Sequence, residues 1–205
     1  QVLVWKLDLS STKSIRAFAE SLLAVQKQLH ILINNTGMMM CPYSKTANSF
    51  ETHLGINCLG HFLLTCSLLE QLKESALAQM VNLSSVAHHV DKIHFQDLES
   101  EKCYSWGFAY CHSKMANILF TWELAKRLQR MGATLYAVHP GMVHSELVQY
   151  SFLLCLLWQL FSLFFKLVWE KGAQTRLHCA ITEGLEPLSA KYFNDGKRTW
   201  VSPRA

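Results

Sequence analysis

The sequence predicts an α/β domain, a parallel sheet with helices on both faces. Short apolar runs of strand length alternate with amphipathic stretches of helix length along the 205 residues. Most runs stop at small or polar residues, and strand, helix, strand, helix in this order argues for a parallel sheet covered on both faces. No repeat, low-complexity segment or linker interrupts this alternation.

The chain opens on Gln1 and runs directly into residues 2–7, an apolar run with strand character. No initiator methionine, signal peptide or polar lead-in precedes it, so the chain reads as one entered in the middle of a fold. Asp8, Leu9 and Ser10 follow, and Ser11 and Thr12 are N-cap candidates for a helix over residues 12–28. Residues 30–33 form the next strand, ending at Asn34, Asn35, Thr36 and Gly37. A long helical region is predicted over residues 49–73, then a strand over 80–83 that stops at Ser84 and Ser85. The helix containing Tyr110 extends to Arg130, and Gly132 stops it. Its Met115, Ile118, Leu119, Trp122 and Leu128 give a broad apolar face. A strand over residues 134–138 ends at His139, Pro140 and Gly141, and a last strand is predicted over 190–193.

Composition excludes several classes. Half of the residues are hydrophobic and 17% are charged, which is globular rather than disordered. The net charge of +4 gathers nowhere; Lys126, Arg127 and Arg130, or Lys197 and Arg198, read as solvated faces, so no nucleic-acid partner is expected. Seven cysteines, an odd number without a CxxC pair, suggest core thiols in a reducing compartment. Ten histidines show no ligand spacing, and no metal is expected. The sequons at Asn34 and Asn82 fall at strand ends, in what reads as a buried crevice, and are discounted as glycan sites.

In such sheets ligands sit beyond the carboxyl ends of the strands. Asp8, residues 34–37, Ser84, Ser85, Pro140 and Gly141 therefore converge on one rim. Tyr110 and Lys114, four apart on a helix, share a face there. An ammonium that close favours the phenolate and lowers the tyrosine pKa. The group can then exchange a proton near neutral pH. Hydride transfer to a carbonyl needs such a donor: Tyr110 would protonate the alkoxide and Ser85 would hold the oxygen. Lys114 would tune the tyrosine and reach a cofactor ribose, and Asn57 would carry a water relay. Taken singly, each has a bland alternative: a serine turn, a core tyrosine with a wet hydroxyl, an asparagine bonded to its own backbone.

Together the residues resemble a known family. Asn34-Asn35-Thr36-Gly37, Asn57 within Asn-Cys-Leu-Gly-His, Asn82-Leu83-Ser84-Ser85, Tyr110-x-x-x-Lys114 and Pro140-Gly141 fall in the order of the short-chain dehydrogenases/reductases. The resemblance makes Asn57, Ser85, Tyr110 and Lys114 a catalytic tetrad, with Ser85 chosen because the family's serine is the second of the pair. It makes Asp8 the acidic residue against adenine, and puts Asn35 and Val143 beside the cofactor, with Tyr110 and Lys114. Residues 108–114 with Ala116 and Asn117, residues 41–44, 172–175 and 200–205 look like the retinol dehydrogenase branch. That implies NADP(H)-linked interconversion of retinol and retinaldehyde, or of other apolar aldehydes and alcohols, at the endoplasmic reticulum membrane on its reducing side. Thr36 replaces the family's small alanine, and Cys58 stands where close relatives carry histidine.

By the same resemblance the fold is a Rossmann-type doubly wound parallel sheet lacking its first two strands and the Gly-rich phosphate turn. The chain is read as one domain over residues 1–205, incomplete at its ends. No G-x-x-x-G-x-G occurs in it. Residues 2–7 would be the family's third strand, without a neighbour, and residues 30–33 an open edge. The expectation is instability, or closure of the gap by pairing 2–7 with 30–33.

Residues 152–168, opening on Phe152 and closing on Val168, are apolar but interrupted by Gln159, Ser162 and Lys166. They fall short of the about 20 apolar residues of a spanning helix. A greasy lid that admits a retinoid and touches the membrane surface is the expected role, with a core helix as the plain alternative. Two functional readings stand: the NADP-dependent oxidoreductase, and an inactive remnant, membrane-associated or homodimeric, that cannot hold the dinucleotide. A steroid or lipid aldehyde stays open as substrate.

Overall fold

The computed structural model describes residues 2–129, 131–141 and 169–203. Among them a five-stranded sheet runs in the order β1 (Ile31–Asn34), β2 (Gln79–Leu83), β3 (Thr134–His139), β4 (Tyr192–Asn194), β5 (Lys197–Thr199). The first four strands are parallel, and β5 is antiparallel to β4. In register, Asn34, Asn82, Ala137 and Tyr192 form one row across the sheet.

Side-chain alternation splits the core into two layers. On one face Met80 and Leu135 pack with Ile15 and Ala19 of α1 (Thr12–Val25), Leu64 of α3 (His61–Ser67) and Leu72 of α4 (Leu69–Glu74). Leu124 and Leu128 of α5 (Trp106–Leu128) complete that layer. On the other face Val81, Tyr136, Val138 and Phe193 pack with Cys179 and Ala180 of α6 (Trp169–Ile181). The parallel sheet covered on both faces that the residue pattern predicts, and the Rossmann-type α/β fold that the resemblance implies, are observed.

Ser11 caps α1, its hydroxyl accepting the Ser14 N–H at 3.3 Å. The helix stops at Val25, where Gln26 turns to extended backbone. The predicted helical region over 49–73 is four pieces: α2 (Thr52–Leu54), a π-helical turn (Gly55–Gly60), α3 and α4.

Two expectations need correction. Residues 2–7 belong to no strand and do not pair with β1, which pairs with β2 alone. A strand needs a hydrogen-bonded neighbour; without one, Trp5 turns onto Phe18 of α1 and Leu7 onto the core, while Val2 and Val4 are 90% and 92% exposed. Among the described residues nothing pairs with the outer side of β1, where Ile31 and Ile33 are 41% and 36% exposed. Second, β5 was not anticipated. Its signal was Asp195-Gly196, both at positive φ (48° and 70°), the two-residue hairpin turn that joins Asn194 to Lys197.

Both sequon asparagines are buried, which agrees with discounting them. Val143 and residues 152–168 lie outside the described residues. Among those described, no helix is long and apolar enough to cross a membrane.

Candidate active site

Three elements deliver the site. The carboxyl end of β2 presents Leu83, Ser84 and Ser85. One face of α5 presents Tyr110, Ser113, Lys114 and Asn117, spaced three and four apart. The π-helical turn presents Asn57, fully buried.

Ser85 caps a 3-10 turn over Val86–His89, its hydroxyl accepting the Ala87 N–H at 3.2 Å. That side chain also hydrogen-bonds Tyr110. Ser84 has a different task, donating its hydroxyl to the Lys114 carbonyl at 2.8 Å and pinning α5 to the strand. Lys114 is buried, with Nζ donating to the Leu83 carbonyl at 3.1 Å and lying 5.6 Å from the Tyr110 ring centroid.

The electrostatics differ from the sequence expectation. Burial pushes the Tyr110 phenol up to about 12, against the Ser85 hydrogen bond that lowers it. Burial likewise pulls Lys114 down to about 8. The low dielectric penalises each charged form separately, and here that outweighs the attraction expected between ammonium and phenolate. The resting pair is a protonated phenol beside an easily discharged amine.

Asn57 is held from every side. Its Oδ1 accepts the Met38 N–H at 2.8 Å; its Nδ2 donates to the Met38 carbonyl at 3.0 Å and to Ser113 Oγ at 2.9 Å. Its backbone carbonyl accepts from Asn117 Nδ2 at 2.9 Å and from His61 Nδ1 at 3.1 Å. Burial lowers His61 to about 4, so the ring is neutral and Nδ1 carries the proton it donates. These bonds commit both amide hydrogens of the side chain, one to the loop at Met38 and one to α5.

Gly37 permits the close approach of this loop. A Cβ there would lie 3.3 Å from both Asn57 Oδ1 and Lys114 Nζ. The loop thus passes close to Asn57 and Lys114, two of the four residues expected to serve a dinucleotide. Of the other expected cofactor residues, Asn35 is exposed and its Oδ1 accepts from Arg176 of α6. Asp8, also exposed, accepts the Ser10 hydroxyl at 2.7 Å and the Ser10 N–H at 2.9 Å, which hold its carboxyl below the usual range. Thus Asn57, Ser85, Tyr110 and Lys114 come together in the interior, whereas Asp8 stands outside it at the head of α1.

Sequence reasoning passed over the supporting residues. A buried file runs from Asn34 Nδ2 to Asn82 Oδ1 (2.7 Å), from Asn82 Nδ2 to Thr121 Oγ1 (3.0 Å) and from Thr121 Oγ1 to the Asn117 carbonyl (2.7 Å). Asn117 and Thr121 were legible as polar residues seven and eleven after Tyr110, on the same face of the helix. A second buried cluster joins Glu51 to His53 Nδ1 (2.8 Å) and His53 Nε2 to Cys41 Sγ (3.4 Å), with Tyr104 donating to the Cys41 carbonyl (2.6 Å). It ties the entry to the π-helical turn to the segment before α5.

Comparisons with known proteins bear on the family and the fold. The family model described as short chain dehydrogenase matches residues 1–153. The chain is 75% identical over all 205 residues to retinol dehydrogenase 12 of Homo sapiens, of which it covers 65%. It is 64% identical over 202 residues, 98% of the chain, to retinol dehydrogenase 11 of Mus musculus, covering 64% of that protein. The chain therefore spans about two thirds, slightly less, of these relatives' length. Among solved structures it is similar to an uncharacterized protein from Mycobacterium paratuberculosis (TM-score 0.75, 31% identity, 100% of this chain and 69% of that one). It also resembles in fold an NADPH-bound carbonyl reductase from chicken fatty liver (TM-score 0.67, 20% identity, 97% and 77%).

Proposed function

The chain belongs to the short chain dehydrogenase family, and from that premise we propose that its site transfers a hydride between NADP(H) and an apolar aldehyde or alcohol, with retinaldehyde and retinol as the substrate pair. The observation that carries the reading is the buried meeting of Ser85, Tyr110 and Lys114 at the end of β2. When bound, the dinucleotide supplies or accepts the hydride. Ser85 Oγ hydrogen-bonds the carbonyl oxygen, and the protonated Tyr110 hydroxyl gives its proton to the forming alkoxide. Lys114, whose ammonium stands near the ring, stabilises the phenolate left behind and holds the ribose. Asn57, with its carboxamide committed, positions the loop carrying Gly37.

Retinoid substrates are supported by the 75% and 64% identities, and the nicotinamide coenzyme by family membership. NADP(H) rather than NAD(H) comes from the motif resemblance. We assign one domain to the chain and propose the endoplasmic reticulum membrane from the resemblance to the retinol dehydrogenase branch, the apolar run 152–168 touching the membrane surface and the cysteine usage fitting its reducing side. The remnant reading is the weaker one, because relatives at 75% and 64% identity are retinol dehydrogenases and the tetrad side chains meet in one buried site.

The test is a fluorescence titration of the purified chain with NADPH beside Lys114→Ala, followed by a retinaldehyde reduction assay. Micromolar binding weakened by the substitution, with turnover, supports the reading. A folded chain that neither binds nor turns over defeats it.

A further inference from the structure

His88 lies in the 3-10 turn that Ser85 caps and is fully buried. Its two ring nitrogens meet different parts of the chain. Nδ1 is 2.5 Å from the Ser85 carbonyl oxygen, which also accepts the His88 backbone N–H at 3.2 Å. Nε2 is 3.3 Å from the backbone N–H of Ser202, itself buried in the segment after β5. A carbonyl only accepts and a backbone N–H only donates, so the ring is neutral with its proton on Nδ1. Neighbouring rings fix the plane: His89, tilted by 39° with centroids 3.9 Å apart, and Tyr192, edge-on at 70° and 4.8 Å.

We propose that His88 is a positioning residue for Ser85, coupling the segment after β5 to the hydroxyl that holds the substrate oxygen. The coupling is mechanical. Ser85 stands on extended backbone (φ −160°, ψ 158°), where rotation of its peptide would swing the side chain away from Tyr110. The imidazole N–H and the backbone N–H of His88 both hold the Ser85 carbonyl against that rotation. Ser202 in turn holds the imidazole in the one tautomer that can do so. This inference rests on the roles given above to Ser85 and Tyr110.

The first measurement is nitrogen NMR of the His88 ring in the full chain at neutral pH. The expected result is a protonated Nδ1 and a bare Nε2, with Ser202→Pro shifting the Nε2 resonance. In the aldehyde assay, His88→Ala is expected to lower kcat more than about tenfold with little change in KM, the size a small misplacement of a reacting group produces. His88→Asn, which keeps a donor near the Nδ1 position, should recover most of that loss. A proton on Nε2, or Asn as damaging as Ala, overturns the proposal. Tyr110→Phe separates the two levels: activity that survives it defeats the reading of the site and this inference with it. An inactive Tyr110→Phe together with a proton on Nε2 defeats the His88 link alone.

Discussion

Asn117 clamps Asn57 by its backbone: one side-chain amide donates both to the Asn57 carbonyl and to the Leu83 carbonyl, each at 2.9 Å. The π-helical turn is thereby fastened to the end of β2 across the face of α5. A π-turn widens the helix and misdirects one carbonyl from its usual partner. Here that carbonyl finds Asn117, and the turn costs no unpaired group at Asn57.

Asn117→Ala removes this clamp and leaves buried carbonyls short of a donor. Stability should fall by about 1–3 kcal/mol, two hydrogen bonds at about 0.5–1.5 kcal/mol each, with His61 and Lys114 remaining as the carbonyls' other donors. Urea unfolding measures it, and a midpoint unchanged from wild type would refute the clamp.

Tyr110→Phe deletes the proposed proton donor and little else. Turnover should drop by at least about 100-fold. NADPH affinity should stay within about threefold of wild type, because no other described hydrogen bond to the hydroxyl is lost besides that of Ser85. Retained turnover would remove Tyr110 from the mechanism.

Lys114 ties stability to alkaline pH. Its pKa is about 8 folded, against about 10.4 for an unperturbed lysine. Between these values the unfolded chain holds the extra proton, so this site's contribution to stability rises with pH through the window. Buried Tyr110 and Cys58, both raised to about 12, act in the opposite sense there. The difference between wild type and Lys114→Met isolates the lysine. The variant's advantage should be largest near pH 7 and shrink by about 3 kcal/mol toward pH 10.5. A gap that ignores pH would mean the ammonium is not desolvated.

Acid should destabilise the chain through His61 and His139. Burial lowers both from 6.5 to about 4. Between those values the unfolded state binds more protons, and stability is lost as pH falls through the window. Melting temperatures from pH 7 to 4.5 should fall less steeply in the double variant His61→Gln/His139→Gln. Parallel slopes would contradict the assignment.

Two glycines should respond oppositely to alanine. At Gly37 a Cβ meets Asn57 Oδ1 and Lys114 Nζ at 3.3 Å, so Gly37→Ala should weaken NADPH binding. At Gly107, in the first turn of α5, nothing lies within 4 Å of the added carbon. Gly107→Ala should stabilise the chain by about 0.5–1 kcal/mol. Calorimetry and the NADPH titration together read both.

The sequence carried the parts of this molecule that depend on local pattern. The strands at β1 to β4, the helix of Tyr110 and the rim of polar strand ends follow from alternation and spacing. The Asp195-Gly196 hairpin was equally local and was missed because β5, with its Lys197-Arg198-Thr199, carries no apolar alternation. Other features are tertiary and have no local signature. Six residues of π-helix, Gly55–Gly60, are too few for a period of 3.6 to be told from a wider one. The Tyr110–Lys114 pair was legible as neighbours, but the sign of its pKa shifts depends on burial by other elements. The partner of His88, 114 residues further along at Ser202, depends on how β4 and β5 close the sheet.

The amide file from Asn34 to Asn117 has one further property: it points in a single direction. Asn34 donates to Asn82, Asn82 to Thr121, and Thr121 to the helix, each group's orientation dictated by the one before. Such a row behaves as a one-way wire. Replacing the Asn82 carboxamide by a carboxylate of the same shape would offer Thr121 only an acceptor, turning its hydroxyl around and leaving the Asn117 carbonyl with its helical N–H donor alone. Exchange of one nitrogen for oxygen on a strand would therefore reverse polarity two links away, on the helix that carries Tyr110.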